Sequence, residues 1–161
     1  MSIDTAKVPG RRSLRFQSLD DILADVDKLN QGPLRALGNW SSGQILVHLA
    51  TVMDWCIDGA PMQAPWFVRV MGWFMKNRFL RNPMPAGFAL PEAAAKYLVP
   101  KEKTWDDGLR HFRSSIERMK SSAERKPSPF LGELTRDQWD QLHCRHAELH
   151  LSFLIPGQNE G

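Results

Sequence analysis

Leu142–Phe153 reads L-H-C-R-H-A-E-L-H-L-S-F, and three of the chain's five histidines, His143, His146 and His150, fall within it. At about 100° per residue on a helix, the three rings sit within about 60° of one another. Trp139, Leu142, Leu149 and Phe153 lie on the same stripe. The histidines therefore occupy core-facing positions, where an unpaired polar ring is costly. His146 and His150 are four residues apart, the spacing at which two imidazoles can share one ion. The stretch predicts a helix carrying half of a metal site. The competing reading is a set of core histidines satisfied by hydrogen bonds.

The helix that bears this stretch has its own start signal, Thr135-Arg136-Asp137-Gln138, an N-cap hydroxyl followed three residues on by a side chain able to reach back. The same signature occurs at Ser18-Leu19-Asp20-Asp21, Ser41-Ser42-Gly43-Gln44 and Thr104-Trp105-Asp106-Asp107. After the first, Leu19, Ile22, Leu23, Val26 and Leu29 repeat at helical spacing until Gly32-Pro33. The second helix runs to about Gly59. The third carries Trp105, Leu109, Phe112, Ile116 and Met119 as one narrow stripe, and the last stops before Pro156-Gly157. With little β-branched alternation between them, these helices predict an all-α fold, a four-helix bundle. About ten residues join each outer pair, but some forty-five separate the second helix from the third. A crossover of that length is needed when the middle helices run parallel, so the expected order is up-down-down-up. The chain is expected to form one domain over 1–161, with an irregular lead-in at 1–17 and the crossover at 60–102.

The crossover is unusual in content. Trp66-Phe67-Val68-Arg69-Val70-Met71-Gly72-Trp73-Phe74-Met75 is apolar nearly all round, Pro65 suits a helix start, and Lys76, Arg78 and Arg81 follow. An extra helix packed on the bundle or into a dimer interface is the favoured reading. A lid over the site ranks second and a membrane-surface helix third. Asn82-Pro83-Met84-Pro85 and Leu90-Pro91 mark a loop, with a short helical turn around Ala93–Leu98.

A third ligand must come from another helix, and His48 is the obvious candidate. It flanks the stripe of Ile45, Leu49, Val52 and Cys56. At about 1.5 Å per residue it lies roughly 9 Å past the start of the second helix, and the His146/His150 midpoint lies about as far before the end of the last. Antiparallel packing therefore brings the three rings level. Three neutral imidazoles leave a coordination position open for water or substrate. Zinc suits the set best, and nickel or iron would also be accepted.

Other candidates are weaker. His143 sits about one turn towards the helix start, which suits packing or support of the ligands better than ligation. His111 falls off its helix's stripe and is expected in solvent. Cys144 points away from the histidine face, and Cys56 lies two turns beyond His48. Gln44, one turn before His48, could bond a bound water or complete the helix cap. The residue after His146 is Ala147, so the pair is not the H-E-x-x-H of metalloproteases. Glu148 lies about 200° round from His146 and is expected to face solvent. No general base is identifiable.

Composition excludes several classes. The chain's 161 residues are 42% hydrophobic and 24% charged, enough for one domain with a real core. The net charge of +3 comes from 21 basic and 18 acidic residues spread along the chain. No groove-reading motif accompanies them, so no nucleic acid is expected as a partner. No apolar run approaches a membrane span, and no membrane partner is expected. Two distant cysteines without C-x-x-C suggest reduced thiols. Arg11-Arg12 is followed by no apolar export region, and a cytoplasmic location is the expectation.

Four segments, G-R-R-S-L-R-F-Q-S-L-D-D-I-L-A-D-V, L-G-N-W-S-S-G-Q-I-L-V-H-L-A, P-S-P-F-L-G-E-L-T-R-D-Q-W and R-H-A-E-L-H-L-S-F, together resemble the DinB-like (DinB/YfiT) superfamily of metalloenzymes. Closer still, the chain resembles a branch known only as a domain of unknown function. The resemblance implies an up-down-down-up bundle, often a homodimer, with a divalent metal on His48, His146 and His150. Characterised relatives are thiol-using transferases and isomerases. A small metal-dependent enzyme acting on a small-molecule substrate, with a low-molecular-weight thiol, is thus implied. Two positions depart from the branch: Leu149-His150 stands where it commonly has a histidine doublet, and Ser128 where it tends to have His before a Pro-x-x-Gly turn. The rival readings are a closed, non-catalytic metal site, with His143 as a fourth ligand, and a helical interaction module that dimerises through the aromatic crossover.

Overall fold

Hydroxyl caps open four of the six helices found among the described residues, where the sequence places them. The computed structural model describes residues 3–87 and 92–157. It is mostly helical: α1 Leu19–Leu29, α2 Ser42–Asp58, α3 Trp66–Arg81, α4 Glu92–Leu98, α5 Trp105–Ser121 and α6 Arg136–Leu151. Ser18, Ser41 and Thr135 form capping boxes with Asp21, Gln44 and Gln138, and Thr104 accepts from the Asp107 amide. Each such cap contributes about 1 kcal/mol. The lead-in holds one 3-10 turn, Thr5–Lys7. The expected loop residues Leu90-Pro91 lie outside the described residues.

α2 and α5 run side by side in the same direction, with Gly43 against Gly108 near their starts and Cys56 against Met119 near their ends. Glycine is required at this crossing. A Cβ on Gly43 would lie 2.0 Å from the Lys103 carbonyl oxygen, and one on Gly108 would lie 2.8 Å from that of Gly43. The core fills the space beyond: Leu46, Leu49 and Met53 of α2 and Leu109, Phe112, Ile116 and Met119 of α5. Ile22 and Val26 of α1 and Trp139, Ala147 and Leu151 of α6 complete it. Trp105, at the end of the expected α5 stripe, is only partly buried, and its indole N–H reaches Asn30 Oδ1 at 2.6 Å.

α1 runs antiparallel to α5, its Asp27 pairing with Arg113 and its Asp20 with Lys120. α6 begins where α2 ends. Lys126 joins the two, its N–H donating to Cys56 O at 2.7 Å and its carbonyl accepting from the Trp139 indole at 3.2 Å.

Three expectations need correction. The chain is not purely α: Leu34–Ala36 (β1) pairs antiparallel with Leu154–Pro156 (β2), Leu34 opposite Pro156. Strands of three residues are too short for alternation to register in a sequence. Glu148 does not face solvent. It is only 6% exposed and accepts from the Phe16 amide and from Arg145, both at 2.6 Å. The lead-in causes this, crossing α6 on the side away from the core; Arg12 anchors it through a two-pronged pair with Asp25 at 2.7 Å. His111 is half-buried rather than free, its Nε2 2.7 Å from Asp54 Oδ2. The close α2–α5 contact puts Asp54 across from it. Burial alone would push the Asp54 carboxyl up, but hydrogen bonds with His111, Ser115 and Arg118 more than offset this and hold it low.

Gly43→Ala, which in an ordinary helix would gain stability, is expected here to lose about 1–3 kcal/mol in urea unfolding, because backbone must move to admit the methyl group. Arg145→Ala is expected to lose about 3 kcal/mol, because buried Glu148 keeps only the Phe16 amide and Arg15 at 3.9 Å, and the Phe16 carbonyl loses its donor. A loss below about 1 kcal/mol for this variant would mean that the lead-in does not depend on Arg145.

Candidate metal site

His48 stands on the second turn of α2, and its ring is fixed from the crossover. Its Nδ1–H donates to the Leu98 carbonyl at the end of α4, at 2.7 Å. That bond sets the tautomer and leaves Nε2 as a lone pair aimed at α6. There it meets His146 Nε2 at 3.0 Å. His150, one turn further along α6, completes a triangle whose ring centroids are 4.6–4.9 Å apart. One ring nitrogen from each of the three lies within 4.8 Å of the other two.

These distances fit a common ion. Nitrogens bound to one tetrahedral zinc at about 2.0–2.1 Å are about 3.4 Å apart, so small ring rotations suffice. The hydrogen-bonded alternative accounts for less of what is present. An N–H from His146 can serve His48, but among the described residues no side chain or backbone group bonds the ring of His150. Protonation is equally suited to ligation. Burial lowers His48 to about 4, and burial followed by the neighbouring imidazoles holds His146 well below its usual value. Burial, then His48 and Arg11, does the same to His150. All three are neutral at pH 7, the form that binds metal. His146 and His150 are partly exposed, so the group borders solvent.

The structure thus brings together the three residues expected as ligands. It also supplies partners that the sequence concealed. The Trp40 indole stacks on His150 (5.4 Å, 6° between planes) and lies against His48 at 4.8 Å. The β1–β2 pair, with the Leu37 amide donating to Phe153 O at 2.9 Å, holds the loop that carries it. Arg11, over the Phe153 ring at 4.1 Å and bonded to Ser152 Oγ, is the cation acting on His150. A tryptophan just before a capping box was the one visible signal; a backbone carbonyl such as that of Leu98 leaves none.

The remaining candidates fall away from the site. His143 is 1% exposed, stacked on Trp139 at 5.3 Å, and outside the three-histidine group. Its Nε2 has no partner among the described residues, and burial lowers it to about 3. Gln44 is used at both ends, accepting from the Ser41 amide and donating to Pro100 O, each at 3.0 Å, so it completes the cap. Both cysteines are free and buried. Burial pushes the Cys56 thiol up to about 12 and the Cys144 thiol to about 11, which removes both as nucleophiles at neutral pH.

His143 carries a pH dependence of its own. An unfolded histidine takes a proton near pH 6.5, while the folded one stays neutral to about 3, so the unfolded state binds more protons across that window. Stability is expected to fall as pH drops from about 6.5 towards 3, and His143→Phe to make that fall shallower by up to one proton's slope. Urea midpoints measured across this range check it.

Residues 9–157 match the family described as "Protein of unknown function (DUF1569)". No curated protein and no solved structure matches the chain. Among the described residues no helix is long and apolar enough to cross a membrane. The match covers nearly the whole sequence, and the chain belongs to that family of unknown function.

Proposed function

We propose that this protein is a small metal-dependent enzyme of DinB-like architecture, in which His48, His146 and His150 hold one divalent ion, zinc by preference. The observation that carries the reading is the convergence of three neutral imidazoles from α2 and α6 with the His48 tautomer already set by Leu98. The helix directions support an up-down-down-up bundle: α1 against α5, α2 along α5, and α6 back past α2. A closed four-ligand site has less support, because His143 packs on Trp139 instead of joining the group.

A divalent ion held by His48, His146 and His150 would supply Lewis acidity, enough to lower the pKa of a thiol or polarise a substrate oxygen. The protein's own part is orientation and charge. Leu98 and Trp40 hold the rings of His48 and His150, and Arg11, which pairs with no carboxylate among the described residues, favours an anionic group nearby. Neither cysteine can serve as the thiolate, since burial keeps both protonated. A nucleophilic sulfur at this site would therefore arrive with a low-molecular-weight thiol substrate, the chemistry that the DinB-like resemblance implies.

Elemental analysis of protein purified without added metal is expected to find about one divalent ion per chain. His150→Ala and His48→Ala are expected to lower metal affinity by at least about tenfold with the helical circular dichroism retained. Metal-free wild type, or a His150→Ala protein that keeps its ion, overturns the reading.

A further inference from the structure

α3 has two faces of opposite role. Val68, Gly72, Met75 and Phe79 recur at helical spacing on the side turned inward. There Gly72 comes so close to the following loop that an added Cβ would lie 2.2 Å from the Phe130 carbonyl oxygen. At about 100° per residue, Trp66, Phe67, Val70, Met71, Trp73 and Phe74 form one continuous arc on the other side. All six are exposed, Trp66 at 75%, Trp73 at 62% and Phe74 at 74%. The inward face is the seam that holds the helix to the protein, so the outward arc is left over after folding is complete. Contiguous apolar surface of this kind marks an interaction site.

The charges around the arc choose the partner. Arg69 and Lys76 line one edge, and Arg78 and Arg81 continue the line of the arc in the last turn, beyond Phe74, with no Asp or Glu anywhere in the helix. These four cations exceed the net charge of the entire chain, +3. Arg15 adds another at the same end, donating to Arg81 O at 3.0 Å. A second copy seated on this face would bring two such sets of cations together. Glu133, beside Arg69 and Lys76, offers a single carboxylate against them. An anionic surface reverses the sign of that interaction.

We propose that α3 is a membrane-surface helix that docks the protein on anionic phospholipid bilayers. It lies in the plane of the interface, with Trp66, Phe67, Trp73 and Phe74 among the upper acyl chains and Arg69, Lys76, Arg78 and Arg81 at the lipid phosphates. Its 16 residues, roughly 24 Å of helix, rest on the bilayer without crossing it. The inference is independent of the metal site and places a bilayer where the sequence reading favours packing.

Flotation of the purified full chain with phosphatidylcholine vesicles, with and without phosphatidylserine, tests this. Wild type is expected to float with the anionic vesicles and to stay behind with the neutral ones. Two double variants, Trp66→Ser with Trp73→Ser and Arg69→Glu with Lys76→Glu, are each expected to weaken binding at least about tenfold with circular dichroism unchanged. High salt is expected to weaken wild-type binding in the same direction. Wild type that ignores anionic vesicles overturns the proposal. So does binding that is insensitive to the charge reversal, or a dimer in analytical ultracentrifugation that Trp73→Glu dissociates while vesicles leave it intact; that last result assigns the face to a second copy.

Discussion

α6 is enclosed on nearly every side, and the exclusion of water from it governs the rest of the structure. A helix in the core can carry polar side chains only if each is answered by a specific partner. Trp139, Ala147 and Leu151 serve the core. Arg145 and Glu148 answer each other and the Phe16 backbone of the lead-in. His146 turns to His48. His143, stacked on Trp139, has no partner for Nε2 among the described residues, and Asp140 Oδ1 is likewise buried without one. The same enclosure that makes Glu148 structural makes the His146 and His150 rings neutral, the form in which an imidazole can hold a metal ion.

The site is assembled by elements that contribute no ligand. The crossover sends α4 back over α2, where the Leu98 carbonyl decides which nitrogen of His48 faces its neighbours. The two-stranded pair ties the approach to α2 to the end of α6 and so positions Trp40 against His150. The glycine contact between α2 and α5 lets the start of α2, which carries His48, pack closely on α5. Support from three separate parts of the chain is what holds imidazoles within reach of one ion.

The crossover also divides its labour. α4 turns inward to the site, while α3 keeps one narrow seam for the protein and leaves its aromatic arc outside. Apolar residues all round a helix ordinarily mean burial on all sides. In α3 the apolar arc is exposed and accompanied by four cations and no carboxylate, so its hydrophobicity does not translate into burial.

Features that depend on short-range chemistry are legible along the chain. Hydroxyl caps at Ser18, Ser41, Thr104 and Thr135 marked helix starts, periodic apolar residues marked the faces, and His48, His146 and His150 were identifiable as one set because spacing along a helix is fixed by its geometry. Features that depend on distant segments meeting are visible only once the chain is folded. Glu148 is buried because the lead-in crosses a face that the helical pattern assigns to solvent. His111 finds Asp54 because glycines let two backbones close, and Trp40 reaches His150 through strands too short to leave a pattern. In each case the deciding partner lies dozens of residues or more away, and burial is a property of the assembled surface, which no local periodicity contains.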